Sequence, residues 1–390
     1  MKIGIDCRTI LNPEKGEAAG IGHYTYQLVR HLLEIDKKNH YYLFFDRSVD
    51  KKRLAKFSQN NVFIRFFPFN QYKKLISSRY QNFLVNAIIA KENLDVIHFP
   101  SITFSSSYQG PSVVTVHDLT FYKFSELIPS KDAQLLKKII PETLKNSRKI
   151  IAVSKSTAQD IRKIFTLKED KIEVVYHGFD KRFFTKRTKK EIEVIKRKFK
   201  IRKKYFLFLG TLDRRKNIIR LVESYERLRQ GISLGKGKID YRKFQLVLAG
   251  APGQSFSRIK NKILKSEYKE DIIIPGYIKA DDLGLLFSGA SLFVFPSLYE
   301  GFGSPILEAM AKNVPVITSN HSSMAEISSK AALLVNPYDV GDISRAIDSL
   351  LKDKGLAKEN KIKGNRVARN FSWEKCAKKT LVVYKKAAKK

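Results

Sequence analysis

Short apolar runs alternate with longer stretches of helical periodicity from one end of the chain to the other. A strand covered on both faces reads as a continuous apolar run, and parallel strands need a crossover between them, so the alternation predicts an α/β fold built on parallel sheets. In the N-terminal half the strand-like runs fall at residues 2–6, 41–45, 62–66, 96–99, 112–116, 150–153 and 172–176, with helical patterns at 23–33, 131–146 and 155–165. From 177 to 204 the apolar rhythm lapses into a basic, polar stretch, after which a new strand at 205–209 ends at Gly210. Further runs follow at 245–249, 271–274, 292–295, 315–318 and 331–335.

The lapse marks a junction, which gives an N-terminal domain over 1–180 and a C-terminal domain over 181–370. Residues 371–390 read as an amphipathic helix, with Trp373, Leu381 and Tyr384 available to pack back toward the N-terminal domain. Both halves are expected to be Rossmann-like, doubly wound parallel sheets. Such sheets bind ligands beyond the carboxyl ends of their strands, and two such ends facing each other make a cleft in which the chemistry is expected. No short-period repeat suggests a solenoid.

Composition fits this picture. A chain of 390 residues with 43% hydrophobic content is long enough for two cores and too apolar for disorder. Cys7 and Cys376, the only cysteines, stand at opposite ends and offer neither a disulfide framework nor metal-ligand spacing, so both are expected to be reduced and inert. No apolar run approaches the roughly 20 residues of a membrane span, and the N-terminus lacks the form of a secretory signal, which places the protein in the cytoplasm. The charge is less ordinary: 74 Lys and Arg against 38 Asp and Glu leave a formal +36. Nucleic acid, an anionic membrane surface and a phosphorylated substrate would all answer it, as would a lysine-rich surface with no partner.

The most informative stretch is EGFGSPILE, Glu300 to Glu308, between the run at 292–295 and a helical pattern. Gly301 and Gly303 let the turn approach a ligand, Ser304 suits the helix cap and Pro305 its first position. Free amides at such a helix start attract phosphate. Glu308 would lie about 6 Å along the axis from the cap, at roughly 1.5 Å per residue, near the hydroxyls of a ribose whose pyrophosphate sits at the helix start. Glu300, before the turn, could accept hydrogen bonds from a sugar. The plainer alternative is a capped helix carrying two surface glutamates.

Two glutamates eight positions apart across a strand, turn and helix make the sequence similar to the family-4 retaining glycosyltransferases of the GT-B fold, and the resemblance extends over nearly the whole chain. It implies that Glu300 contacts the transferred sugar and Glu308 the nucleotide ribose, with Phe302 inside the same donor-binding turn. In FLFLGTLDRRKN, Gly210 ends a strand and Arg215 and Lys216 follow; two cations at that place could neutralise a diphosphate, although an RRK run in so basic a chain is also ordinary surface. The resemblance gives these two residues the donor phosphates. His117 and Asp118 end the run at 112–116, where a lone histidine can equally be structural; the resemblance makes His117 a contact to the donor sugar near its anomeric carbon, with Asp118 orienting it or binding the acceptor. Gly20 and Gly22 stand just before the helical pattern at 23–33, and the resemblance brings Gly22 near donor phosphate and acceptor. It also implies that backbone around Gly276, Tyr277 and Ile278 holds the nucleotide base. Asp281 and Asp282 are expected to cap the next helix.

No Asp-x-Asp, HExxH or CxxC occurs, which argues against a tightly held metal. The expected co-substrate is a nucleotide diphosphate sugar, with no tightly bound cofactor. No carboxylate stands out opposite Glu300 as a nucleophile, so same-face substitution is expected, the leaving phosphate taking the acceptor proton. The stretches GIGHYT and GTLDRRKN look most like bacterial mannosyltransferases, favouring GDP-mannose over a UDP-hexose. The implied acceptor is a glycan or lipid-linked sugar in cell-surface polysaccharide synthesis. Aromatic and basic residues mix over 66–91, which suits peripheral contact with the inner face of the cell membrane or equally a helix packed on the sheet. A nucleic-acid binder would explain the charge without the glutamate turn, and a non-catalytic nucleotide-sugar or polyanion-binding protein would need no turnover.

Overall fold

The structure is a computed structural model and describes residues 1–10, 20–49, 51–68, 78–102, 108–125, 130–231 and 239–388. The chain divides into two compact units, Met1–Gly178 with Ser372–Lys390, and Phe179–Phe371.

The first unit carries β1 (Lys2–Asp6), β2 (His40–Asp46), β3 (Val62–Phe67), β4 (Val96–Phe99), β5 (Ser112–Val116), β6 (Lys149–Ala152) and β7 (Ile172–Val174). They form one parallel sheet in the order β3-β2-β1-β4-β5-β6-β7. Side chains of a strand alternate between faces. In β2, accordingly, Tyr41, Leu43 and Phe45 enter one core while Tyr42 and Phe44 enter another, which is why this strand reads as unbroken apolar sequence. Helix Gly20–Ile35 and the C-terminal helix Trp373–Ala388 cover the first of these faces. The second face is covered in part by helices Ser78–Ala90, Ser130–Asn146 and Lys155–Ile164.

The second unit carries β8 (Lys204–Leu209), β9 (Phe244–Ala249), β10 (Ile272–Gly276), β11 (Leu292–Phe295), β12 (Val316–Ser319) and β13 (Leu333–Val335), again parallel, in the order β10-β9-β8-β11-β12-β13. The strand order reverses between β1 and β4 in one sheet and between β8 and β11 in the other. Crossovers leave to opposite faces at such a point, so a crevice opens beyond the strand ends.

Several local expectations are corrected. The lapse at 177–204 contains a helix, Lys189–Lys198, closed by a reciprocal capping box between Thr188 and Glu191. It buries only Ile195, too little for a visible apolar period. Helix Gly20–Ile35 starts at Gly20, so Gly20 and Gly22 lie in its first turn and not before it. Asp281 and Asp282 do not cap helix Ala280–Gly289: Lys279 is its N-cap, and the two carboxylates sit inside the first turn, where they favour the helix dipole. Asp282 pairs with Lys198 at 2.6 Å.

Cys7 and Cys376 are free and buried in the same core. Burial pushes both thiols up, that of Cys376 to about 12, which suppresses the reactive thiolate. Part of the aromatic and basic stretch at 66–91, residues 69–77, lies outside the described residues. Among the described residues no helix is long and apolar enough to cross a membrane.

Candidate active site

In the second unit the chain leaves β8 through Gly210 and turns at Asp213, whose carboxylate accepts from the Lys216 amide at 3.2 Å. Asn217 then takes a left-handed conformation, φ 60°, and its side-chain amide donates to the carbonyls of Pro296 and Pro337 at 3.0 and 2.6 Å. The Leu298 amide donates to the Arg215 carbonyl at 2.8 Å. The loops after β8 and β11, the two strands at the switch point, are thus stitched together. Gly250 completes this corner: a Cβ there would stand 1.9 Å from the Gly210 carbonyl oxygen, so only glycine allows the loops after β8 and β9 to approach this closely.

The stitching brings three site residues into direct contact. Arg215 Nη1 lies 3.0 Å from Glu300 Oε2, and Lys216 Nζ 2.5 Å from Glu300 Oε1. Arg215 also donates to the Tyr299 carbonyl at 2.7 Å. The Glu300 backbone is fixed as well, its amide donating to Ser322 Oγ and its carbonyl accepting from Ser323 Oγ. Glu300 and Lys216 are only 7% and 8% exposed, so these are ion pairs of an interior and not of a surface. Burial pushes the Glu300 carboxyl up, but the charges of Lys216 and Arg215 outweigh it and bring it down to about 2. Lys216 is pulled below its ordinary value, first by burial and then by Arg215, against the pull of Glu300. Two cations share one carboxylate.

Glu300 is followed by buried Gly301 and by Phe302, whose side chain is buried against Phe371 with ring centroids 5.9 Å apart. The cap of helix Ser304–Ala311 is Gly303 at φ 92°, not Ser304, which with Pro305 begins the helix itself. No side chain caps this helix start. Positive φ explains the shift, since glycine takes that conformation without the strain any Cβ adds. Glu308 is half-buried one turn in, and burial, helped by the charge of Asp180, raises its carboxyl to about 7. At the end of β10, Gly276 takes φ 78° and its carbonyl accepts from the Gly250 amide at 2.9 Å; Tyr277 is exposed and Ile278 buried.

The first unit holds the remaining candidates. His117 follows β5, half-buried, with Nε2 2.9 Å from the Pro100 carbonyl. A carbonyl only accepts, so Nε2 carries the proton and Nδ1 is left as an acceptor. Burial lowers the His117 pKa to about 4, which keeps the ring neutral at ordinary pH. Tyr24, His177 and Trp373 pack around it: Tyr24 meets His117 edge-on at 4.7 Å, His177 lies 5.2 Å from it, and Trp373 stacks on His177 at 6.0 Å. Gly22 is buried in the helical turn that carries Tyr24. Asp118 does not hydrogen-bond to His117. Its carboxylate accepts from the Thr120 amide at 2.9 Å, a local turn, and orientation of His117 falls to Pro100.

The roles of Asp213, Gly250, Ser322 and Ser323, and of the Asn217 side chain in joining the loops, escaped the sequence reading, although a glycine directly after β9 was a usable signal. At the end of β1, Arg8 and Asp6 form a further pair, Nη2 to Oδ2 2.5 Å, both 3% exposed.

Comparison with known proteins follows the same lines. Residues 18–183 match the family described as Glycosyltransferase Family 4, and residues 189–367 the one described as Glycosyl transferases group 1. The chain is 28% identical to O-antigen chain mannosyltransferase B of Escherichia coli over 384 residues, which is 96% of this chain and 97% of that protein. It is 27% identical to O-antigen chain mannosyltransferase RfbU of Salmonella typhimurium over 61% of this chain and 60% of that one. Among solved structures, Anabaena HepE in complex with UDP and glucose superposes with a TM-score of 0.73 at 16% identity, over 98% of this chain and 99% of the other, a likeness of fold.

Proposed function

Because the chain belongs to the family-4 and group-1 glycosyltransferases and has the GT-B fold, we propose that it transfers mannose from GDP-mannose, with retention, to a glycan or lipid-linked acceptor in cell-surface polysaccharide synthesis. The observation that carries the reading is the Arg215–Glu300–Lys216 cluster beside an uncapped helix start. Two preorganised cations and a helix start that no side chain caps suit a departing diphosphate. Mannose is supported by the O-antigen mannosyltransferase that matches almost end to end. The nucleotide sugar is the co-substrate, with Glu308 toward its ribose and Tyr277 and its neighbours toward the base.

Retention is supported by the state of Glu300. A carboxylate held at about 2 by two cations is weakly basic and correspondingly weak as a nucleophile or general base. In the proposed step the bond from the anomeric carbon to the phosphate oxygen breaks with its electron pair going to phosphate. The acceptor oxygen bonds to the same face of that carbon, and its proton passes to the departing phosphate. Arg215 and Lys216 take up the charge that develops.

The test is a transfer assay with purified enzyme, using GDP-mannose and competing nucleotide sugars. An α-linked mannoside detected by NMR is the expected product; a β-linked one would overturn retention, and turnover of a UDP-hexose alone would overturn the donor. We further propose peripheral contact with an anionic membrane, supported by the formal charge of +36. Salt-sensitive co-sedimentation with anionic liposomes is expected, and failure to sediment at low salt removes the membrane.

A further inference from the structure

In the first unit, four buried polar side chains form one continuous chain on the core face covered by the C-terminal helix. Tyr384 Oη lies 2.7 Å from His98 Nδ1, His98 Nε2 lies 2.8 Å from Thr115 Oγ1, and Thr115 Oγ1 lies 3.2 Å from Tyr24 Oη. None of the four is more than 2% exposed. They come from four elements: helix Trp373–Ala388, β4, β5 and helix Gly20–Ile35.

His98 and Thr115 occupy strand positions that would ordinarily be apolar. Their neighbours Ile97, Phe99, Val114 and Val116 all point into the opposite core. Burying four polar groups instead costs free energy unless each is satisfied, and apolar residues of similar size would stabilise the fold at least as well. A fully satisfied network does something an apolar core does not, which is to specify one arrangement. Burial brings His98 down to about 3, so its ring is neutral and has one N–H: one nitrogen donates while the other accepts, and the chain has a definite sense.

The far end of the chain reaches the candidate active site. His117 stands directly after β5, two residues beyond Thr115, and Tyr24 touches both. Tyr24 is held at its hydroxyl by Thr115 and presents its ring to His117 at 4.7 Å and 84°.

We propose that this chain makes the C-terminal helix a positioning element of the site: Tyr384, acting through His98 and Thr115, fixes the Tyr24 ring, which holds His117 with Nε2–H on the Pro100 carbonyl and Nδ1 presented to a hydroxyl of the donor sugar. The last step rests on the reading of His117 as a sugar contact. Tyr384 and Tyr24 touch no substrate in this scheme and act only through His117.

The experiment compares wild type with Tyr384→Phe and, as a second variant, Tyr24→Phe; each keeps the ring and removes one hydroxyl. Histidine-labelled protein is followed by NMR, because the two ring nitrogens of a neutral histidine resonate far apart when one tautomer is fixed. Nucleotide-sugar turnover and binding of the free nucleoside diphosphate are measured on the same samples. In both variants the His117 nitrogen signals should converge as the tautomer is released. Turnover efficiency should fall about tenfold, while affinity for the nucleoside diphosphate, which the second unit would hold, stays within about twofold. A purely structural role would lower thermal stability and leave the tautomer signals and that ratio where they were; this result in both variants overturns the proposal. His117 signals that move in the variants while wild type transfers no sugar would keep the positioning and remove the sugar contact.

Discussion

Glu300→Gln keeps the shape of the side chain and removes its charge, which leaves Lys216 and Arg215 with no anion between them in an interior site. The depression of the Glu300 carboxyl from 4.5 to about 2 sets the scale. At about 1.4 kcal/mol per unit, the charged form is favoured in the folded state by about 3 kcal/mol. The folded value lies below the unfolded one, so this stability is present in full above about pH 4.5 and is lost as pH falls toward 2. At neutral pH the substitution should therefore cost about 3 kcal/mol, in the range found when one partner of a buried pair is removed.

Two units need not unfold together, so a global midpoint would blur the effect. Hydrogen exchange at the amides of β8 and β11 reads the second unit directly. With Lys216→Met as the other arm of a double-mutant cycle, the two losses should fall short of additivity by about 2 kcal/mol, since each variant breaks the same pair. Diphosphate affinity should move the other way in Glu300→Gln, because both cations lose their internal anion, while sugar transfer falls. A stability loss under about 1 kcal/mol, or additivity within about 0.5 kcal/mol, would show that the pair contributes nothing specific and refute the reasoning.

Glu308, raised to about 7 by burial and by Asp180, should make nucleotide binding pH-dependent: affinity rises with pH as the carboxylate forms and can accept from ribose, whereas Glu308→Gln gives a flat profile in calorimetric titrations. The same group makes a contribution to stability that is present below its unfolded pKa and is lost as pH rises through about 7. Gly250→Ala would set a Cβ 1.9 Å from the Gly210 carbonyl at φ 143°, so a loss of about 3 kcal/mol or more is expected, together with loss of thermal stabilisation by nucleoside diphosphate; an alanine variant that folds and binds normally would mean the close approach is not needed.

The central strands were legible because their side chains are buried on both faces and most of them are apolar. β4, β5 and β11 begin and end where the apolar runs do. Element ends set by backbone conformation were harder to read. The helix after Glu300 starts one residue past a left-handed glycine, and its sequence offered a serine and a proline that suggested a different cap. Helix Lys189–Lys198 was harder to see for another reason: Ile195 is its one buried residue and stands among lysines and arginines, and the clearest local mark of the helix is the capping box at its start. Contacts between distant positions left no local trace at all. His98 and Tyr384 are 286 residues apart, and neither has neighbours that mark it as one half of a hydrogen bond.

Glu300 shows most clearly what a local reading misses. Its sequence context separates it from Arg215 and Lys216 by 84 residues or more, which invites separate tasks, sugar for the glutamate and phosphate for the cations. The fold closes that gap by placing β8 and β11 side by side, and the three become one electrostatic unit. On the proposed function the tasks are then coupled. While both cations stay on Glu300, its two oxygens are occupied, and an oxygen that accepts from Lys216 has less to offer a sugar hydroxyl. Diphosphate drawing the cations toward itself would loosen the carboxylate and make it available as an acceptor to the sugar carried by the same donor. Phosphate recognition would in that way precede sugar recognition, which a free monosaccharide, lacking the phosphates, could not reproduce.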